Sequence, residues 1–238
     1  MTPRLLHRGP LAAGPIALDS DQQHYLKTVL RLKAGAPVEV FDGQGERWSG
    51  HAHAAGRTLT IELDLCLART EPPRPRRWLG FAPVKAVDTV LRKATELGAT
   101  DLLPVLSERV QGTRQRDAAK QQRHWTSIIE SAAAQCEQDH LPRLHDPSPF
   151  TTIIDAPPAT QTLLLDPTGQ LWPARLTRQD TLLLIGPEGG WTEREKDYAI
   201  SAGVPLVGMG PLVLRAETAP LAALTRLAMS WEQPTAGE

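Results

Sequence analysis

The sequence has only two cysteines, little net charge and no apolar run of the length that a membrane span needs. Cys66 and Cys136 are too few for a disulfide framework, and the sequence contains no CxxC pair. A membrane-crossing helix requires about 18 or more consecutive apolar residues. Near the N-terminus, the prolines and glycines between Gly9 and Pro15 interrupt the apolar core that a signal peptide would need. We therefore expect a protein of the reducing cytoplasm with no membrane partner, and we predict no metal site.

The net charge of −1 does not indicate nucleic-acid binding, but the charges are unevenly distributed. Residues 1–77 hold 11 Lys and Arg against 8 Asp and Glu, whereas residues 78–238 hold 15 against 19. So small a difference can arise by chance. It also fits a weakly basic N-terminal module that contacts polyanions. Only clustering of the charges on one face would decide between the two.

A proline-rich stretch divides the sequence into two parts. Arg69–Arg77 (RTEPPRPRR) has three prolines within four residues, which excludes a helix interior and a central strand. Such a stretch is extended and semi-rigid, as linkers often are. We predict a first domain over residues 1–70, a linker over residues 71–77 and a second domain over residues 78–238.

The first part has the pattern of a small β-domain. Ala36–Gly43 and Thr58–Leu65 alternate apolar and polar side chains, and the first of them ends in an Asp-Gly turn signal. Short strands joined by glycine-containing turns are typical of a small barrel. The apolar spacing within Asp21–Leu32 predicts one helix before these strands.

The second part alternates strands and helices. Apolar strands are predicted at Trp78–Val84, Thr162–Asp166 and Thr181–Ile185, and amphipathic helices at Val87–Gly98 and Ala119–Gln135. Uniformly apolar strands that alternate with helices indicate a parallel sheet covered on both faces. The predicted fold class is therefore α/β.

The clearest candidate for a ligand loop is Leu182–Gly203 (LLLIGPEGGWTEREKDYAISAG). Thr192 and Glu195 form a T-x-x-E capping box, which predicts that a helix begins near Glu193. The loop Gly186–Trp191 then follows the carboxyl end of a parallel strand, where ligands bind in open α/β sheets. On the glycines alone, a plain strand-to-helix turn remains the better explanation.

The ligand of this loop is not predicted to be a nucleotide phosphate. The loop matches neither G-x-G-x-x-G nor G-x-x-x-x-G-K-[ST], and it has no lysine to meet a phosphate. Glu188 would repel a phosphate held in the same loop. A neutral or cationic ligand fits better. S-adenosylmethionine is such a ligand, because its adenosine carries no phosphate and its sulfonium is cationic.

A second glycine-containing loop, Gly208–Pro220 (GMGPLVLRAETAP), also follows an apolar strand. The two loops could form the walls of one pocket. Arg215 and Glu217 suit two roles equally well. They could be functional groups, or a surface ion pair at a helix start, where the helix dipole would stabilise Glu217.

Together the two loops resemble the C-terminal signature of the ribosomal RNA small-subunit methyltransferase E family, in the SPOUT class of knotted methyltransferases. Residues 24–45 (HYLKTVLRLKAGAPVEVFDGQG) and 91–109 (LRKATELGATDLLPVLSER) are similar to the same family. The resemblance thus covers nearly the whole chain in the expected order. It implies methylation of N3 of a uridine in small-subunit (16S) ribosomal RNA, with S-adenosylmethionine as cofactor.

The resemblance also implies a PUA-like N-terminal β-barrel that binds RNA and a C-terminal α/β domain with a deep trefoil knot. A homodimer formed through the knotted domain is expected as well. The implied cofactor-pocket residues are Leu165, Gly186, Pro187, Glu188, Gly189, Gly190, Met209, Gly210, Pro211, Leu212, Val213 and Leu214.

Arg215 and Glu217 are the predicted catalytic residues. Uracil N3 is protonated at neutral pH and lies on the Watson–Crick edge, so the base must be unpaired or flipped out. We expect Arg215, as a fixed cation in a partly dry site, to stabilise the negative charge that forms on the uracil carbonyls. Glu217 is expected to orient Arg215 or to accept the proton. The predicted RNA-contacting residues are Arg4, His24, Arg31, Lys85 and Arg92.

The sequence departs from the family pattern at four positions. Leu212 and Gln138 stand where arginines are common, Ala134 stands near an expected glutamate, and Ala216 replaces a common threonine. Fewer arginines mean fewer phosphate contacts. These departures therefore bear on the RNA substrate more than on the cofactor.

Two other functions stay open. One is a SPOUT methyltransferase that acts on another RNA, such as transfer RNA. The other is a non-catalytic RNA-binding assembly factor with a degenerate pocket. An enzyme acting on a phosphate-bearing nucleotide is disfavoured by Glu188 and by the missing lysine.

Overall fold

The computed structural model describes residues 2–29, 31–55, 58–83, 86–110 and 118–232. The chain divides into two compact units, one of Met1–Pro72 with Ala133–Leu141 and one of Pro73–Ala132 with Pro142–Glu238. The division after Pro72 falls within the predicted linker. Ala133–Leu141 belongs to the first unit, whereas the predicted second domain includes every residue after 77. The backbone of Ala133–Leu141 pairs with the first unit, since Gly45 N donates to Asp139 O at 3.0 Å.

The first unit contains β1 Arg4–Leu6, β2 Gly14–Ile16, β3 Pro37–Phe41, β4 Glu46–Ala55 and β5 Thr58–Arg69. They form one sheet in the order β1-β3-β4-β5-β2, in which β1 and β3 are parallel and the other pairs are antiparallel. Every second residue at the start of β5 is buried, at Leu59, Ile61 and Leu63. This is the alternation that the sequence pattern predicts for a sheet with one covered face.

The helix predicted at Asp21–Leu32 has a different form. The structure has a short helix, α1 Ser20–His24, and then a π-helical turn over Tyr25–Val29. Asp19 and Gln22 begin α1 with reciprocal capping hydrogen bonds. The apolar spacing locates the buried Leu26 correctly, but it does not distinguish a single π turn from an α turn.

The second unit contains β6 Arg77–Phe81, β7 Asp101–Leu106, β8 Arg143–Leu144, β9 Ser148–Pro149, β10 Gln161–Leu171, β11 Thr181–Ile185 and β12 Leu206–Gly208. Its strands pair in parallel in the order β12-β10-β11-β6-β7-β8, and β9 also pairs with β7. All five residues of β11 are buried. The predicted α/β class with a parallel sheet is confirmed.

Helices cover both faces of this sheet. They are α2 Val87–Glu96, α3 Ala118–Gln135, α4 Phe150–Asp155, α5 Glu193–Ser201 and α6 Thr218–Glu232. Along β11, Leu183 and Ile185 pack in a core cluster that includes residues of α2, α3 and α6. Leu182 and Leu184 pack in a second cluster with residues of α4 and α5. Among the residues the structure describes, no helix combines the length and apolarity of a membrane span.

The strand β10 bends around β12 at Gly169. Leu165 pairs with Val207, and after a shift of register Gln170 pairs with the same Val207, so residues 166–169 bulge out between them. A Cβ on Gly169 would lie 2.5 Å from Val207 N, which is closer than real Cβ contacts come. The bulge places Asp166 at the end of the sheet where the candidate site lies. The closed barrel and the trefoil knot stay predictions of the resemblance.

We expect Gly169→Ala to lower the free energy of unfolding of the second unit by about 2 kcal/mol, as overpacking does. The added Cβ would meet the backbone of β12, which cannot move without losing its pairing with β10. Urea denaturation of Gly169→Ala and of the control Gln170→Ala, whose side chain is exposed, measures the effect. Equal stabilities would show that β10 and β12 are less closely packed in solution.

Candidate functional site

A cavity of about 500 Å³ opens where β10 bulges and where β11 and β12 end. Its walls come from residues 165–167 of β10, the loop after β11 and the loop between β12 and α6. The volume is typical of small-molecule pockets. The position is the one that open parallel sheets use for ligands.

Most of the predicted pocket residues line this cavity. The lining residues among them are Leu165, Gly186, Pro187, Glu188, Gly190, Met209, Leu212, Val213 and Leu214. Gly189, Gly210 and Pro211 belong to the same two loops but are not among the lining residues. Arg215 and Glu217, predicted as catalytic, also line it. The structure therefore brings the two predicted loops together around one space.

The sequence prediction missed several lining residues, of which Asp166 is the most informative. Asp166 follows the buried Leu163–Leu165 and is itself 7% exposed. Its Oδ1 accepts hydrogen bonds from Thr168 N at 2.8 Å and from Thr168 Oγ1 at 2.6 Å. A carboxylate directly after a run of apolar residues was the sequence signal that could have identified Asp166.

Trp191, the last residue of the loop after β11, anchors this loop to β10. The indole Nε1 donates to Leu165 O at 3.1 Å, and the side chain is buried. A Cβ on Gly186 would lie 3.2 Å from the indole ring, so glycine leaves the space that the ring occupies. Gly190 N donates to Pro187 O at 2.8 Å with Gly190 at a φ of 68°, a conformation that favours glycine. The loop is therefore a closed turn packed on an aromatic side chain.

The predicted capping box at the start of α5 is confirmed. Thr192 Oγ1 accepts from Glu195 N at 3.2 Å, and Glu195 Oε2 accepts from Thr192 N at 2.8 Å. Two orphan backbone donors are thereby satisfied. The helix begins at Glu193 as predicted, which fixes where the loop ends.

Among the residues that the structure describes, the cavity lining carries more negative than positive charge. These lining residues include three carboxylates, Asp166, Glu188 and Glu217, and one guanidinium, that of Arg215. Nearby on α5, the pKa of Lys196 is raised by its hydrogen bond to Glu193, with a further contribution from the charge of Asp166. Glu188 is exposed at the cavity. This balance favours a ligand that carries positive charge.

Arg215 and Glu217 lie at the mouth of the cavity. The Arg215 side chain is 85% exposed, and its Nη1 is 3.9 Å from Glu217 Oε1. The partly dry surroundings expected for Arg215 are therefore not present in the free protein. Leu212 and Val213, which are 77% and 80% exposed, form an apolar rim beside them.

Arg4 was wrongly predicted to contact RNA phosphates. Its side chain is buried, forms ion pairs with Asp139 and with Glu39 (3.6 Å from Nε), and lies 4.5 Å from the ring centroid of Phe41. A guanidinium that is enclosed and paired in this way is not available to a nucleic acid. Arg4 instead ties the segment Ala133–Leu141 to the first unit.

The other predicted RNA contacts differ in their surroundings. His24 and Arg31 are exposed in the first unit, and Arg92 is exposed on α2 in the second. Arg31 has a φ of 51° and lies two residues beyond Val29, where the π-helical turn ends. Lys85 lies outside the described residues. Exposure leaves His24, Arg31 and Arg92 free to meet RNA, and their role stays a prediction.

A family model described as RNA methyltransferase domain matches residues 72–228, and one described as RNA methyltransferase PUA domain matches residues 18–55. Ribosomal RNA small subunit methyltransferase E from Synechocystis sp. is 33% identical over 222 residues, which cover 89% of this chain and 72% of that protein. The chain belongs to the ribosomal RNA small subunit methyltransferase E family. The predicted resemblance is confirmed.

Solved structures of similar proteins share the fold. A ribosomal RNA small subunit methyltransferase E from Neisseria gonorrhoeae, crystallised with S-adenosylmethionine, has a TM-score of 0.83 at 27% identity and covers 96% of this chain and 98% of its own. A protein from Legionella pneumophila, also crystallised with this cofactor, has a TM-score of 0.87 at 25% identity over 97% and 98%. Among the described residues, no group of His, Cys, Asp and Glu side chains is placed to hold a metal ion.

Proposed function

We propose that this protein methylates N3 of a uridine in small-subunit (16S) ribosomal RNA in the cytoplasm, with S-adenosylmethionine as cofactor. The observation that carries the proposal is the cavity between the two loops, with its excess of carboxylates and its apolar rim. Membership of a family named for small-subunit ribosomal RNA supports the substrate class. The uracil-N3 position rests on the motif resemblance.

The lining residues fit S-adenosylmethionine. The apolar side chains of Leu165, Val207 and Leu214 suit a nucleoside without phosphates, and the net negative charge suits a cation. Two structurally similar proteins were crystallised with this molecule. When bound, S-adenosylmethionine supplies a methyl group that its sulfonium makes reactive. The loop Gly186–Trp191 and the loop Met209–Leu214 hold it from two sides.

Arg215 and Glu217 act on the uracil in this proposal. Both side chains lie at the cavity mouth, where a flipped-out base would enter. RNA that covers the mouth would exclude water from Arg215 and so strengthen its attraction for the charge on the uracil carbonyls. Glu217 orients Arg215 or accepts the N3 proton. Binding of the substrate thus creates the dry surroundings that Arg215 lacks in the free protein.

RNA docking is proposed to use cations of both units. His24 and Arg31 would contact phosphates from the first unit, and Lys85 and Arg92 from the second. Affinity should then fall with rising salt concentration, because each phosphate contact releases counterions. The proposal includes a homodimer formed through the second unit, which exposes the apolar side chains of Leu171 and Leu212.

Calorimetric titration tests the cofactor. We expect S-adenosylmethionine to bind to the protein at one site per chain, and ATP to bind at least a hundredfold more weakly because Asp166, Glu188 and Glu217 repel its phosphates. Glu188→Gln should reduce the difference in affinity between S-adenosylmethionine and ATP. Comparable affinities for ATP and S-adenosylmethionine would contradict this assignment of the cavity.

A further inference from the structure

We propose that Arg109 is a positioning residue that fixes the backbone of the cavity loop Gly186–Trp191. Arg109 lies in the segment that follows β7. Its Nη1 donates a hydrogen bond to Gly189 O and approaches Trp191 O at 3.4 Å. One guanidinium thus holds two carbonyl groups of the same loop. The inference rests on the proposed function only for the identity of the ligand.

The peptide group between Gly189 and Gly190 is held on both sides. Its carbonyl accepts from Arg109, and its N–H donates to Pro187 O at 2.8 Å. Neither glycine has a Cβ, so without these two bonds rotation of the peptide would cost little. Pro187, Glu188 and Gly190 line the cavity. The orientation of this peptide therefore sets the shape of one cavity wall.

The residue before Arg109 anchors the same segment to α5. Glu108 N donates to Glu195 Oε1 at 2.9 Å, and Glu108 Oε2 accepts from Thr192 Oγ1 at 3.1 Å. Glu195 is buried and also caps the helix. The base of Arg109 is thus fixed relative to the end of the loop that its guanidinium holds.

Arg109 acts on the ligand only through the loop. Its side chain is exposed and is not among the residues that line the cavity. Its aliphatic stem packs against Gly189, where an added Cβ would lie 3.4 Å from Arg109 Cδ. An exposed side chain contributes little to the core. Its loss should therefore change the loop and the ligand affinity more than the stability of the fold.

The test compares Arg109→Met, which keeps the stem and removes the donors, with Arg109→Lys, which keeps one charged donor. Arg194→Met is the matched control, because the Arg194 side chain is 88% exposed on the neighbouring helix and its Nη1 lies 3.7 Å from Glu108 Oε1, beyond hydrogen-bond distance. Hydrogen–deuterium exchange of peptides covering residues 186–192 is measured in the ligand-free proteins. Calorimetry then gives the Kd for S-adenosylmethionine, and thermal melting gives the stability of each ligand-free variant.

We expect faster hydrogen exchange of the loop in Arg109→Met. Its Kd for S-adenosylmethionine should be roughly tenfold higher, which corresponds to the loss of one charge-assisted hydrogen bond. Arg109→Lys should fall between Arg109→Met and the unchanged protein, and Arg194→Met should match the unchanged protein. The melting temperature of ligand-free Arg109→Met should stay close to that of the control.

Three results would overturn the inference. One is unchanged loop exchange in Arg109→Met, and another is faster exchange with an unchanged Kd. The third is a fall in melting temperature large enough to account for the weaker binding, which would give Arg109 a purely structural role. If the unchanged protein binds no S-adenosylmethionine, the proposed function fails. The exchange measurement then still decides whether Arg109 holds the loop.

Discussion

Arg4→Met is expected to lower the free energy of unfolding of the first unit by about 3 kcal/mol, at the lower end for breaking a buried ion pair. The reason is that Asp139 and Glu39 would lose one of their two cationic partners. Arg47 stays, with Nη1 2.9 Å from Glu39 Oε2 and Nε 3.4 Å from Asp139 Oδ1, which keeps the loss from being larger. Met retains the apolar stem that packs near Phe41.

Urea denaturation followed by the fluorescence of Trp48, which lies in the first unit, measures this change. Arg69→Met is the control, because the Arg69 side chain is 68% exposed in its pair with Glu46 and its loss should matter little. RNA affinity of folded Arg4→Met should be unchanged. If Arg4→Met instead had normal stability, bound RNA more weakly and showed a smaller salt dependence of RNA affinity, Arg4 would be a phosphate contact after all.

Arg215→Ala is expected to lower kcat for RNA methylation about 100-fold, the scale measured when one donor to a developing oxyanion is removed. Its Kd for S-adenosylmethionine should change little, because the Arg215 guanidinium points into solvent at the mouth and is 85% exposed. Arg215→Lys should recover only part of the rate, because lysine restores the positive charge but lacks the planar donor geometry of the guanidinium.

Single-turnover kinetics with saturating S-adenosylmethionine separates this effect from binding. Arg178→Ala, at another exposed arginine of the second unit, is the control and should keep full activity. Glu217→Gln should slow turnover less at high pH than at neutral pH if Glu217 accepts the N3 proton. Full turnover of Arg215→Ala with normal cofactor binding would remove Arg215 from the chemistry.

The parts of the fold that depend on local patterns were predictable. Two features are determined by a few neighbouring residues: the apolar run of β11 and the capping pair Thr192 and Glu195. Both predictions are confirmed. The two loops were predictable as a pocket because carboxyl ends of neighbouring parallel strands meet at one edge of a sheet.

Features that depend on distant contacts were not predictable. Arg4 and Asp139 are 135 residues apart in the sequence, so the pattern around Arg4 shows a free cation where the structure has a buried pair. Because Ala133–Leu141 is far in sequence from the strands of the first unit, no local pattern indicates that it belongs to that unit. The hydrogen bond from Arg109 to Gly189 O joins residues that are 80 positions apart, so no local sequence pattern indicates it.

Mass-spectrometric nucleoside mapping tests the central claim most directly. Purified protein is incubated with S-adenosylmethionine bearing a deuterated methyl group and with small-subunit ribosomal RNA, free or in intact subunits, from cells that lack the protein. Transfer RNA serves as the competing substrate. The proposal predicts labelled 3-methyluridine at one position of the ribosomal RNA and none in transfer RNA. Label on a ribose, on another base or in transfer RNA instead would contradict it.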